Sequence, residues 1–288
     1  MWRVLVGALA FAAIGCAPSV PETKKAGETA HSAVSPLPRA TATSSAPLAE
    51  PTILSVRPSE TVAEHPAHGL TCPASAPFHQ SDGNMCPADG DNANEKGLSL
   101  LKNRTDEGPW RSIPFAELRG WTWPRSTEGR DIHLWAPADR DAIAEHNGMS
   151  VSVEGYLLDA VPSGSEACNC GRSAGVDVDY HIWLFNRKLD HAPVVRPPER
   201  GESIVVEMTP RLRTQHHGWT VARLKKIAHE QLPVRVSGWT FYDPEHGPEV
   251  RGSSTHAPTR GTLWEIHPIM KLEVQQAGGW VDLDDAQL

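Results

Sequence analysis

The stretch Gly218–Glu230, GWTVARLKKIAHE, decides the fold, because it is a helical segment set inside a run of strands. Val221, Leu224 and Ile227 recur every third residue with Ala222 and Ala228 beside them, which predicts an amphipathic helix. Upstream lie three segments of strand character: VSVEGYLLDAV (Val151–Val161), DYHIWLF (Asp179–Phe185) and SIVVEMTP (Ser203–Pro210). Downstream lie PVRVSGWTFYDP (Pro233–Pro244) and TLWEIHPIMKLEV (Thr262–Val274). Pro268 inside the last segment predicts an edge or a bulge. Three strands, a helix and two strands is the order of the five-stranded OB barrel. The fold class read from the sequence is therefore mostly β, with an OB-like domain over 148–276 and its helix between strands three and four.

Outward from the barrel, residues 67–147 read as a Cys-containing extension that packs on it. Within the extension, GLSLLKNRTD (Gly97–Asp106) reads as a helical turn or an extended entry, IPFAELRGW (Ile113–Trp121) as a second element and IHLWAP (Ile132–Pro137) as a strand. DRDAIAEHNG (Asp139–Gly148) reads as a short helix closed by Asn147 and Gly148. Residues 17–66 are rich in Pro, Ala, Ser, Thr and Glu without a periodic apolar face, so they cannot offset their ordering entropy and read as a flexible linker. Residues 277–288 read as an acidic tail.

Residues 1–16, MWRVLVGALAFAAIGC, place Arg3 before an apolar run, Val4–Ile14, that ends in Gly15 and Cys16. A permanent membrane span needs roughly 20 apolar residues, so this shorter run reads as a signal peptide. The segment resembles a bacterial lipobox, with Ala13 where Leu is usual. That resemblance implies lipid on Cys16, an extracytoplasmic location and the membrane as a partner. Ala17 in place of Asp points to the outer membrane if the source is Gram-negative.

Five cysteines are present. With Cys16 lipidated, four remain, which in an exported chain allow three disulfide pairings. The local bridge Cys72–Cys86 is the expected one. Cys168 and Cys170 flank a single residue, too tight for ordinary disulfide geometry. The chain carries a net charge of −8 and no segment of it is basic, which excludes generic nucleic-acid binding. Arg211, Arg213, Arg223, Lys225, Lys226 and Arg235 nevertheless fall close enough in sequence to form a local basic face.

Strand alternation sorts the polar residues by face. Asp179, His181 and Trp183 share one face of the second strand, and Glu265 and His267 share one face of the last. Glu207 ends the third strand, and His246 follows the fourth. A barrel would bring Asp179, His181, Glu207, His246, Glu265 and His267 into one polar cluster at its mouth. Imidazoles and carboxylates together suit a divalent, zinc-like metal, and an open coordination position would activate water for hydrolysis, including that of phosphodiesters. No HExxH or CxxC spacing accompanies them. The structural alternative places Trp264 in the core, with Glu265 and His267 hydrogen-bonded to Arg235 or Arg211. Trp183, Arg211 and Arg235 are the candidate ligand contacts.

The phrases LKNR (Leu101–Arg104), EGYLLDA (Glu154–Ala160), CNC at Cys168, EMTPR (Glu207–Arg211), VRVSGW (Val234–Trp239), DPEH (Asp243–His246) and RGTLWEIHPI (Arg260–Ile269), with Asp179 and His181, also make the chain similar to a family of exported bacterial proteins without an assigned activity. The resemblance implies a shared OB-like fold and a shared role. The reading is a membrane-anchored lipoprotein whose OB module binds a small ligand or a partner protein without catalysis. A metal-dependent hydrolase and a purely structural envelope protein are the alternatives.

Overall fold

The computed structural model describes residues 77–91, 98–173, 175–191, 194 and 196–288. Cys16, Cys72, the signal and the linker lie outside the described residues. Five strands carry the architecture: β1 (Ser150–Pro162), β2 (Tyr180–Phe185), β3 (Ile204–Met208), β4 (Pro233–Tyr242) and β5 (Trp264–Gln276). They pair in the order β1–β2–β3–β5–β4, and β4 closes back onto β1. Every pairing is antiparallel except β3 with β5. This is a closed, mixed five-stranded barrel with the OB order of strands.

Alternation fills the interior. Val151, Val153 and Leu157 of β1, Ile182 and Leu184 of β2, Ile204 and Val206 of β3, Val234 and Val236 of β4, and Ile266 and Leu272 of β5 form one buried cluster. Each such side chain contributes about 1.5–3 kcal/mol by leaving water. The helix α1 (Val221–Glu230) adds Leu224 and Ile227 to the same core, so the predicted apolar face is the buried one. Thr220 caps it by accepting from the Arg223 backbone N–H at 3.3 Å, which satisfies one of the donors left open at a helix start. Pro268 makes a bulge rather than an edge, since the β4–β5 pairing shifts register on both sides of Gly238. A Cβ at Gly238 would stand 2.3 Å from the Pro268 carbonyl oxygen, so only glycine fits opposite the bulge.

The extension packs on the barrel through Phe115, Leu118, Trp121, Trp135 and Ile143, which join the interior cluster. Its helices are Leu98–Lys102, Phe115–Gly120 and Pro137–Ala144. IHLWAP is not a strand: Ile132–Leu134 is a 3-10 turn. The Trp135 indole N–H donates to the Arg130 carbonyl at 2.9 Å, and its ring meets Tyr242 edge-on, so an aromatic anchor overrides the short apolar run. The acidic tail is a structural element. Gly279–Asp282 forms β6 against β5, Leu283 is buried, and the Asp284 carboxylate accepts from the Gly218 backbone N–H at 2.6 Å.

The disulfide also differs from expectation: Cys86 is bonded to Cys170, not to Cys72. Cys170 leaves the turn Ala167–Asn169 in a left-handed conformation, which brings its Cα to 5.9 Å from that of Cys86 although 84 residues separate them. Spatial rather than sequence proximity selects the partner. The bridge ties the ribbon Phe78–His79/Met85–Cys86 to the loop after β1.

Candidate functional site

Register places the chemistry. His181 of β2 lies directly opposite Glu207 of β3, and the parallel pair Val206–Ile266 sets Glu207 beside His267 of β5. Because Ile182, Val206 and Ile266 point into the barrel, His181, Glu207 and His267 point out of it. The expected cluster is therefore present on the outer wall of β2, β3 and β5 rather than at the mouth. That wall is not wet. The helix Leu98–Lys102, the turn Ala167–Asn169 and the segment after β4 bring Lys102, Glu166, Asp243 and His246 against it, and the side chains of Asp179, Glu207, Glu265 and His267 retain at most 2% exposure.

His267 is the centre of the arrangement. Its Nδ1 lies 3.4 Å from Glu207 Oε2 and 3.6 Å from Glu265 Oε2, and its Nε2 lies 3.5 Å from Asp179 Oδ2. These separations exceed hydrogen-bond length. Both ring nitrogens, Glu207 Oε2 and Glu265 Oε2 are buried without a hydrogen-bond partner. Toward solvent, His181 Nε2 meets Glu207 Oε1 at 2.9 Å and Glu166 Oε1 at 3.6 Å. On the far side, His246 Nε2 lies 3.8 Å from Asp243 Oδ2, and its Nδ1 lies 2.8 Å from Glu249. Donor atoms converge within 4.8 Å in Asp179–Glu207–His267, Glu166–His181–Glu207, Glu166–Cys168–Asp179 and Asp243–His246–Glu265.

The charges are unequal. Six carboxylates, of Glu166, Asp179, Glu207, Asp243, Glu249 and Glu265, face two permanent cations. Lys102 lies 3.2 Å from Glu166 and 3.3 Å from Asp243, and Arg260 pairs with Glu265 and Glu249. Burial and the neighbouring Glu166 charge raise Asp179 to about 7. Burial opposes the imidazolium of His267, but the Glu207 and Asp179 charges outweigh it and lift this group to about 9. Glu207 and Glu166 shift the other way: burial resists their ionisation, and His181 for the first and Lys102 for the second hold them below the usual carboxylate range. The same contest at Asp243 is won by Lys102 and His246. Protonated His181 and His267 offset much of this negative charge, and a cation that displaces their protons takes their place among the buried donors.

The other expected contacts have structural work. The Trp183 indole donates to the Thr259 carbonyl at 2.8 Å, with the Arg200 guanidinium 3.6 Å above the ring. Arg235 binds Glu273 at 2.7 Å rather than Glu265. Arg211 is buried and donates to Asn169 Oδ1 at 3.1 Å and to the Pro87 carbonyl at 2.8 Å, bracing both sides of the disulfide. Arg260 is the arginine that holds Glu265. The local basic face does not form. Arg213 donates to the Met208 and Val176 carbonyls, Arg223 donates to the Leu283 and Ala286 carbonyls, and Arg211 is enclosed. A cavity of about 330 Å³ lined by Phe78, Tyr180, Arg213, His216 and Trp219 shares no residue with the cluster.

Strand alternation does not single out Lys102, Glu166, Asp243, Glu249 and Arg260, because each lies outside the strands. The one signal for three of them lies in the phrases LKNR, DPEH and RGTLWEIHPI, which contain Lys102, Asp243 and Arg260. Compared with known proteins, the chain matches no family model and no curated protein sequence.

Proposed function

We propose that the protein is an extracytoplasmic, lipid-anchored module whose OB barrel binds a divalent metal ion in a closed centre formed by Asp179, Glu207 and His267, with Glu265 beside them. The observation that carries this reading is the set of orphaned donors around His267. The ligand atoms of Asp179, Glu207 and His267 lie within 4.8 Å of one another, so one ring nitrogen of His267 and the two carboxylates can turn toward a shared ion. One imidazole with hard carboxylate oxygens suits a divalent ion such as zinc, manganese or ferrous iron. The Cys86–Cys170 bridge suits an oxidising compartment, and the resemblance of residues 1–16 to a lipobox supports the anchor. No described helix is long and apolar enough to cross a membrane, so in this reading the lipid on Cys16 makes the attachment.

Burial favours a binding role over hydrolysis. A hydrolytic metal needs a coordination position that substrate reaches, and the donors at His267 have almost no exposure. The test is metal content and zinc titration of the purified chain after chelation. Saturable zinc binding that His267→Ala abolishes is expected. Absence of binding in the folded wild-type chain would overturn the proposal.

A further inference from the structure

We infer that the centre holds two cations rather than one, with the Glu207 carboxylate bridging them and the Glu166–His181 pair completing the second position. The inference rests on the proposed metal centre and deepens it. Glu207 presents its two oxygens to different histidines: Oε2 faces Nδ1 of His267 at 3.4 Å, and Oε1 faces Nε2 of His181 at 2.9 Å. A carboxylate so placed has the geometry of a bridging ligand, and carboxylate-linked ions about 3.5–4 Å apart are the arrangement of two-metal sites. The second position has three donors of its own, Glu166, His181 and Glu207, whose ligand atoms lie within 4.8 Å of one another.

With His181 and His267 neutral as ligands, one divalent cation added to Lys102 and Arg260 brings four positive charges against six carboxylates, and a second brings six. Glu166 is already oriented for this, since Lys102 holds its Oε2 at 3.2 Å and leaves Oε1 turned toward His181 at 3.6 Å. This anchoring of a ligand carboxylate by an outer group fixes its free oxygen toward the ion. Without a cation, a proton fills the gap in the 2.9 Å His181–Glu207 hydrogen bond. Binding replaces that proton, which is released to solvent. The two positions differ in access: the side chains of His181 and Glu166 are 17% and 14% exposed, whereas those of His267 and Glu207 are 0% and 2% exposed. The outer ion is the one that exchanges with solvent, and the inner ion is trapped behind it.

The experiment is zinc stoichiometry on the full chain, chelated, reloaded with Zn²⁺ alone and desalted. Two ions per chain are expected in the wild type, with one lost in minutes to a competing chelator and one retained. His181→Ala and the more conservative His181→Asn should each hold one ion, the retained one, with an unchanged far-UV spectrum. Glu207→Gln should weaken both. Loading with Mn²⁺ adds a separate readout, because a carboxylate-bridged pair gives an exchange-coupled paramagnetic resonance signal that a single ion lacks. One ion per chain in the wild type, insensitive to His181→Asn, would overturn the two-ion inference and leave the closed centre intact. No bound ion would overturn both.

Discussion

The barrel interior and the outer wall of β3 and β5 are both buried, and they are built from opposite materials. Inside, Ile182, Val206 and Ile266 meet other apolar side chains and leave nothing unsatisfied. Outside, one residue along each strand, Glu207 and His267 are buried among carboxylates with Glu207 Oε2 and both His267 ring nitrogens lacking a hydrogen-bond partner, and His181, partly exposed, meets Glu207 Oε1 at 2.9 Å. An apolar layer stabilises a fold simply by leaving water, whereas a buried charged layer costs free energy unless each charge is matched. The contrast teaches that burial alone is no measure of a structural role. The interior explains why the protein folds, and the wall is where it departs from what folding alone would select.

This contrast breaks or holds at particular residues. Arg260 is the largest lever on the wall, because it is almost fully enclosed and neutralises Glu265. Arg260→Met leaves a buried carboxylate unpaired and should lower unfolding stability by about 3–5 kcal/mol in urea titrations. Saturating zinc should recover part of that loss if the wall is a cation site, and none of it if the wall is only a salt-bridge network.

Next in size is the effect of zinc on the wild type. A ligand at 100 times its dissociation constant adds about 2.7 kcal/mol to stability. A stabilisation of that order, read as a zinc-dependent rise in the thermal midpoint, is expected for the wild type and should vanish in His267→Ala. An equal rise in both proteins would place the ion elsewhere.

Stability should also depend on pH in a way that sets the wall apart. His267 is raised to about 9 in the folded chain from an ordinary value near 6.5, so its contribution is fully present below about 6.5 and is lost as pH rises through 9. Asp179, raised to about 7 from 3.8, has the same sign over a lower window, between about pH 4 and 7. Chelated protein should therefore lose stability progressively between about pH 4 and 9. Zinc needs the neutral imidazole and the ionised carboxylate, so its affinity should rise over the same range. Melting curves with chelator and with zinc should diverge as pH increases, and parallel curves would remove the link between these groups and the metal.

The smallest effect belongs to the interior side. Thr220→Ala deletes the cap of α1 and should cost about 1 kcal/mol, with the same cost in zinc and in chelator. A zinc-dependent cost would show that helix and wall are coupled.

Much of the fold is legible in the sequence. The alternation in VSVEGYLLDAV, the three-residue spacing in Gly218–Glu230 and the proline in β5 each report a local preference that the barrel respects. IHLWAP is a short apolar run with too few repeats to distinguish a strand from a turn, and the Trp135 anchor that decides it is tertiary. The disulfide was misassigned for a related reason: the left-handed turn at Cys170 that reaches Cys86 has no signature in the spacing of cysteines.

The candidate site divides in the same way. Which of His181, Glu207, Glu265 and His267 share a face follows from the two-residue period of a strand, so the sequence by itself determined that they point away from the apolar side. Whether that face is wet or dry, which carboxylate meets which nitrogen, and that Arg260 rather than Arg235 or Arg211 holds Glu265 were decided only by the tertiary structure. The physical reason is range. Periodicity is a property of neighbours along the chain, whereas the burial of this wall depends on Lys102 and Glu166, brought from distant segments whose own local sequence says nothing about where they dock.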